Sequence, residues 1–154
     1  MKLSKLHTKH HILLSDDKLI LAYQRLENLL HIAESKTLSE IAIQKINTKL
    51  ELLNTTTKIN DALYRLANLI ENEIITILEE DLKIVPIGYY SKKWIAIGMS
   101  AFGIPLGLII GLLSKNMGML AVGLPIGLGI GTIIGKTKDA RAASLGLQYN
   151  INTN

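Results

Sequence analysis

Apolar residues recur along this chain in two different rhythms. Leu19, Tyr23, Leu26, Leu30 and Ala33 step by three and four, with Lys18, Arg25, Glu27 and Glu34 between them. That is the spacing of one helix face turned toward a core, opened by the polar Ser15-Asp16-Asp17. Thr37-Leu38-Ser39-Glu40 then matches a capping box, in which the Thr hydroxyl takes a backbone N–H and the Glu reaches back to the cap. A second helix start is predicted there. Ile41, Ile46, Leu50 and Leu53 continue the pattern, Asn54-Thr55-Thr56-Thr57 interrupts it, and Ile59, Leu63, Leu66, Ile70, Ile74 and Ile77 resume it. The threonines are either a break between two helices or a polar patch within one. β-Branching weakens a helix without forbidding it, so the preferred reading is one long helix over 38–83, bent at the threonines.

The second rhythm is continuous. Trp94 to Leu113 carries no charge and is long enough to cross about 30 Å of hydrocarbon. Ser114-Lys115-Asn116 interrupts, and Met117 to Gly135 repeats the pattern at nearly the same length. Two spans separated by so short a turn run antiparallel. As a buried helical pair in water they would be expensive. Ten glycines lie from Gly98 to Gly135, and at about 1 kcal/mol each against alanine they would cost on the order of 10 kcal/mol of helix propensity. In a bilayer the backbone has no water to bond, so the helix is enforced and glycine serves close packing. The fold expected is all-α: a cytoplasmic helical hairpin or coiled-coil region, then a two-span transmembrane hairpin. Its parts are a basic tail (1–15), amphipathic helices (16–84), a linker (85–93) containing Pro86 and Gly88, the hairpin (94–113 and 117–135), and a polar tail (136–154), of which Leu145 to Ile151 could dock as a short extended segment.

Charge places the ends of the hairpin. Residues 1–93 hold thirteen Lys plus Arg against twelve Asp plus Glu, and so are nearly neutral. Most of the net +4 sits beside the spans, on Lys92, Lys93, Lys136, Lys138 and Arg141, while only Lys115 lies in the turn. Cations gathered at the outer ends predict a multi-pass protein of the cell membrane with both termini cytoplasmic, and Tyr89, Tyr90 and Trp94 are the aromatics expected at the bilayer interface. The absence of a secretory signal agrees with that orientation. A nucleic-acid partner is not expected.

Within the spans, glycines fall every fourth residue: Gly103, Gly107 and Gly111 on the first, with Ala96 and Ser100 roughly continuing the small face, and Gly123, Gly127, Gly131 and Gly135 on the second. Such a groove admits another backbone closely and favours van der Waals contact and weak Cα–H hydrogen bonds. GIPLGLIIG (103–111) echoes GLPIGLGIG (123–131), and Pro105 and Pro125, at equivalent places, are structural kinks or hinges. From Gly98 to Gly135 the chain resembles the glycine-zipper membrane proteins, a loose class of channel subunits, two-span accessory proteins and membrane-depolarising toxins. The resemblance implies tight helix association and a homo-oligomer. Two members are set aside: the rotor-ring subunit of rotary ATPases needs an intramembrane carboxylate that neither span has, and the large-conductance mechanosensitive channel separates its spans by a long loop.

Other signals carry less. No cysteine is present, which excludes disulfides and thiolate metal sites. His7, His10 and His11 lack carboxylate or cysteine companions at ligand spacing, so no metal is expected and a basic tail at lipid headgroups is preferred. His31 reads as a packed or half-exposed side chain. Gly131 to Thr137 imitates a phosphate loop but has three residues between its glycines rather than four and ends a membrane span. Glu71, Glu73, Glu79, Glu80 and Asp81 match no calcium loop. Neither a cofactor nor an enzymatic activity is expected, because no nucleophile, base and orienter can be assembled. Two functions remain. In the first, zipper faces assemble hairpins into a pore, channel or membrane-permeabilising effector, poorly selective because no charge lies in the spans. In the second, the hairpin anchors cytoplasmic helices that recruit a protein partner through the seam within 41–83.

Overall fold

The computed structural model describes residues 2–7 and 17–151, so His10, His11, Ser15 and Asp16 lie outside the described residues. Among the described residues the chain is all-α apart from a pair of two-residue strands. Five helices follow in order: α1 (Asp17–Glu34), α2 (Glu40–Thr55), α3 (Asn60–Leu82), α4 (Tyr89–Leu113) and α5 (Met117–Ser144). Strands β1 (Val85–Pro86) and β2 (Gln148–Tyr149) pair with each other. Two compact units result, Met1–Val85 with Tyr149–Asn154, and Pro86–Gln148.

In the first unit α3 packs against both α1 and α2. The face read from the sequence is the one buried: Leu19, Tyr23, Leu26, Leu30 and Ala33 on α1, Ile46, Leu50 and Leu53 on α2, and Leu63, Ile70, Ile74 and Ile77 on α3. The apolar seam of 59–77 is covered by its own chain at Leu63, Ile70, Ile74 and Ile77, whereas Leu66 is half-buried and Ile59 is exposed, and Ile41, which opened the pattern of α2, is exposed as well. One ionic contact sits at the edge of this core. The Arg25 guanidinium donates to both oxygens of the largely buried Glu71, and its Nη2 also donates to Asn68 Oδ1 at 2.7 Å. Paired and hydrogen-bonded in this way, the charge is tolerated where a lone one would be costly.

The single long helix expected over 38–83 is two helices. α2 stops at Thr55, its C-cap Thr56 is extended, and α3 begins after an extended Ile59, with Asn60 at φ 50°. Ser and Thr side chains compete with the helix by bonding local backbone, as Thr56 Oγ1 does in accepting the Lys58 N–H within the break. The break lets the two halves fold back on each other and bury both faces, which one continuous helix could not do alone. The cap of α2 also differs from the expected one: Ser39, not Thr37, receives the Ala42 N–H, at 3.1 Å. The Ser39 N–H in turn donates to Asp81 at 2.9 Å, and hydrogen bonding from Ser39 holds that carboxyl below the usual range.

Residues 2–7, read as part of a basic tail, lie along α2. Asn47 Oδ1 accepts the Ser4 N–H and its Nδ2 donates to the Lys2 carbonyl; Asn54 does the same for His7 and Lys5. His31 is exposed.

Candidate membrane-facing hairpin

α4 and α5 are 25 and 28 residues long and apolar enough to cross a membrane. They pack along each other over their whole length within the second unit. The turn between them follows from its residues. Lys115 takes a left-handed φ of 52°, the Asn116 N–H closes onto the Gly111 carbonyl, and the Asn116 side chain accepts the Gly118 N–H to start α5.

Packing here is inverted relative to the first unit. In α4 the buried residues are Gly98, Gly103, Gly107 and Gly111; in α5 they are Gly123, Gly127, Gly131, Gly135 and Ala142. Large side chains such as Phe102, Ile109, Leu112, Val122, Ile126 and Ile133 are exposed. Only 22% and 17% of the two apolar windows are buried, whereas a core helix of a soluble protein is mostly buried. The two small-residue faces meet each other. A Cβ on Gly127 would stand 2.6 Å from Gly103 Cα, one on Gly98 2.7 Å from Gly131 Cα, and one on Gly135 2.6 Å from Ser91 Cα. No side chain fits there. At Gly111 the nearest atom would be at 3.5 Å, an ordinary contact, and Gly129 faces open space.

The small face of α4 is not the one extrapolated from its four-residue spacing. Ala96 and Ser100 are exposed, and Gly98 takes their place. The cause is a π-turn at Met99–Gly103, whose end is marked by the Ile104 N–H reaching back five residues to Met99 O. One extra residue in that turn makes the interval from Gly98 to Gly103 five instead of four and keeps both glycines on the same face. Pro105 follows directly, where it supplies no N–H and its ring demands room at the preceding carbonyls. Pro125 lies inside α5 with helix on either side, and both prolines are exposed, away from the partner helix.

The helices extend past the spans expected from the sequence. Tyr89, Tyr90, Lys92 and Lys93, placed in a linker, form the first turns of α4, and α5 continues through residues 136–144, placed in a polar tail. α5 stops at a Schellman-type cap, with Gly146 at φ 66° and the Leu147 N–H on the Ala142 carbonyl. What carries the helix past Gly135 is contact with α4. Asp139, four residues beyond Gly135 on the same face, accepts the Tyr90 N–H at 3.0 Å and the Ser91 N–H at 2.9 Å. It thus caps the N-terminus of the other helix, where free N–H groups and the helix dipole favour an anion. The four-residue register, continued by one step, would have pointed to Asp139. Around it the expected interface residues gather at one end of the hairpin. Lys138 Nζ lies 5.2 Å from the Trp94 ring and 5.8 Å from that of Tyr90, Lys93 Nζ lies 5.2 Å from Tyr89, and the two tyrosines meet edge to face. Lys92, Lys136 and Arg141 are exposed beside them. Among the described residues no group of His, Cys, Asp and Glu could hold a metal ion. Compared with known protein families, with curated proteins and with solved structures, the chain has no match in any of the three.

Proposed function

We propose that this chain is a membrane-anchored helical module, in which α4 and α5 sit in the bilayer as a closed hairpin and hold the three-helix unit at the membrane surface. The observation that carries this reading is the inverted packing: glycine backbones face inward and Ile, Leu, Val and Phe side chains face outward all round. In water such a surface would expose far more contiguous apolar area than a monomer tolerates. In lipid it is the solvated state. Five cations at the outer ends against Lys115 in the turn support a cytoplasmic location for both termini. The reading is of an anchoring and binding protein rather than an enzyme.

The glycine-zipper resemblance also suggests an oligomeric pore, and the π-turn beside Pro105 favours some mobility of α4. Zipper-driven assembly needs its small faces free between copies, however, and here they meet each other within one hairpin. Ser100 and Thr132 are the only polar residues of the two spans, too few to line a wet pathway. The test is reconstitution of the purified chain into dye-loaded vesicles. The anchor reading expects co-flotation that survives alkaline carbonate, with the dye retained. A chain left in the unfloated fraction refutes the anchor, and dye release by a defined oligomer transfers the assignment to the pore.

A further inference from the structure

The arm of residues 2–7 is read by its backbone. Asn47 and Asn54 each use the side-chain amide as a strand neighbour would, accepting one N–H and donating to the carbonyl two residues earlier, so that Leu3 and Leu6 are each bracketed by one asparagine. The two intervals match. Seven helical residues from Asn47 to Asn54 rise about 10.5 Å, and three residues of a threefold extended chain advance about 9 Å. The sequences match as well, because Lys2-Leu3-Ser4 and Lys5-Leu6-His7 are successive copies of a Lys-Leu-x triplet. On its other side the arm borders α1, where Lys2 and Lys5 share a cleft with Glu34, and Leu6 shares one with Glu27 and Leu30. The cleft between α1 and α2 is thus a groove for a basic, extended peptide with an apolar residue at every third position.

We infer that this groove exchanges its occupant, and that the N-terminal arm of a second copy of this chain takes the place of the molecule's own arm. The second copy is the partner whose segment is known to fit, since the groove already holds an identical one. Among the described residues, what holds the arm is light: four exposed hydrogen bonds and two half-buried leucines. Nine residues, 8–16, join it to α1, a contour of at most about 30 Å. Swapping an identical element between protomers is a low-cost route to association. Confinement to a bilayer, which rests on the anchor reading above, raises the local concentration that drives it. Copies are then linked through their arms, leaving the glycine faces closed inside each hairpin.

The chain has no cysteine, so single labels are clean. Full-length Ser4→Cys with a donor dye and full-length Glu51→Cys with an acceptor are mixed and reconstituted at low density, and vesicle flotation is checked first. Exchange predicts energy transfer between copies that grows over time, falls to the random-proximity background when both proteins carry Asn47→Ala and Asn54→Ala, and is competed by a soluble peptide of residues 1–7 but not by one with Leu3 and Leu6 replaced by serine. Floating protein with background transfer throughout overturns the arm exchange and leaves the anchor intact; protein that fails to float overturns the anchor. Transfer that persists in the asparagine double variant, with its helicity retained, also overturns the proposal. Should that variant lose helicity, competition by the two peptides on the otherwise unaltered chain decides alone.

Discussion

The two units bury opposite kinds of residue. In the first, Leu26 and Ile70 are 0% exposed and the surface is mostly polar with scattered apolar residues such as Leu21 and Ile41; in the second, glycines are inside while Leu112 and Ile133 are 64% and 68% exposed. Both are bundles of α-helices from the same alphabet, so on the anchor reading proposed above the difference lies in the solvent each is built for. Water drives large apolar side chains together, and the first unit gains most of its stability by removing them from it. Lipid supplies no such force between helices, so the hairpin is held by close backbone approach, which only glycine allows, and by polar groups at its end. Large-to-small changes should therefore weaken the first unit, and small-to-large changes the second.

The largest effect is expected at Gly127. Its Cβ would overlap backbone atoms of Gly98 and Gly103, which cannot swing aside as a side chain can. Gly127→Leu should open the hairpin by more than the roughly 1–3 kcal/mol typical of overpacking, read as an increased distance between spin labels on α4 and α5 in micelles. Gly111→Ala should be tolerated and Gly129→Leu should be silent; equal effects at all three would contradict a single glycine interface. Next comes Leu26→Ala, which should lower the stability of the first unit by about 2–5 kcal/mol in urea unfolding of the full chain. Leu112→Ala, outward on α4, should leave the unfolding of that unit unchanged.

Asp139→Ala is a smaller change. Losing the cap on α4 should cost about 1 kcal/mol and speed hydrogen exchange at the Tyr90 and Ser91 amides by roughly fivefold, with Asp139→Asn in between. The smallest effect is Tyr23→Phe. The Tyr23 hydroxyl is buried with no hydrogen-bond partner among the described residues, so its removal should be neutral or stabilising by up to about 1 kcal/mol. Burial also raises the Tyr23 pKa above its ordinary value of 10.0. A neutral phenol favoured in the fold contributes stability that is present below the unfolded value and lost as pH rises through the folded one. Tyr23→Phe should remove that part of the alkaline destabilisation, and unchanged pH curves would show that another group carries it.

The hydrophobic pattern located the buried face of α1, most of the buried faces of α2 and α3, and both apolar spans. It was less informative where two interactions compete. Thr56 to Ile59 can be helical by propensity, and only the packing of α3 against both α1 and α2 decides for a turn. Spacing alone put Ala96 and Ser100 on the glycine face, because a π-turn that shifts the register by one residue has no composition of its own; the five-residue gap from Gly98 to Gly103 was its trace. Asp139 lies in the segment read as a polar tail, and its capping role depends on α5 running on past Gly135. The asparagines that hold the arm stand among polar residues of an amphipathic helix, and their meaning depends on a segment forty residues away.

The central claim is that the outward faces of α4 and α5 meet lipid, and site-directed spin labelling tests it most directly. Single Cys replacements at Ile109, Leu112, Ile126 and Ile133, each carrying a nitroxide, would be compared in vesicles with one at the exposed Ile41 of α2. The account predicts that oxygen, concentrated in hydrocarbon, relaxes the four hairpin labels strongly while a water-soluble nickel complex does not reach them, and that Ile41 behaves in reverse. Nickel access at the hairpin positions equal to that at Ile41 would contradict it.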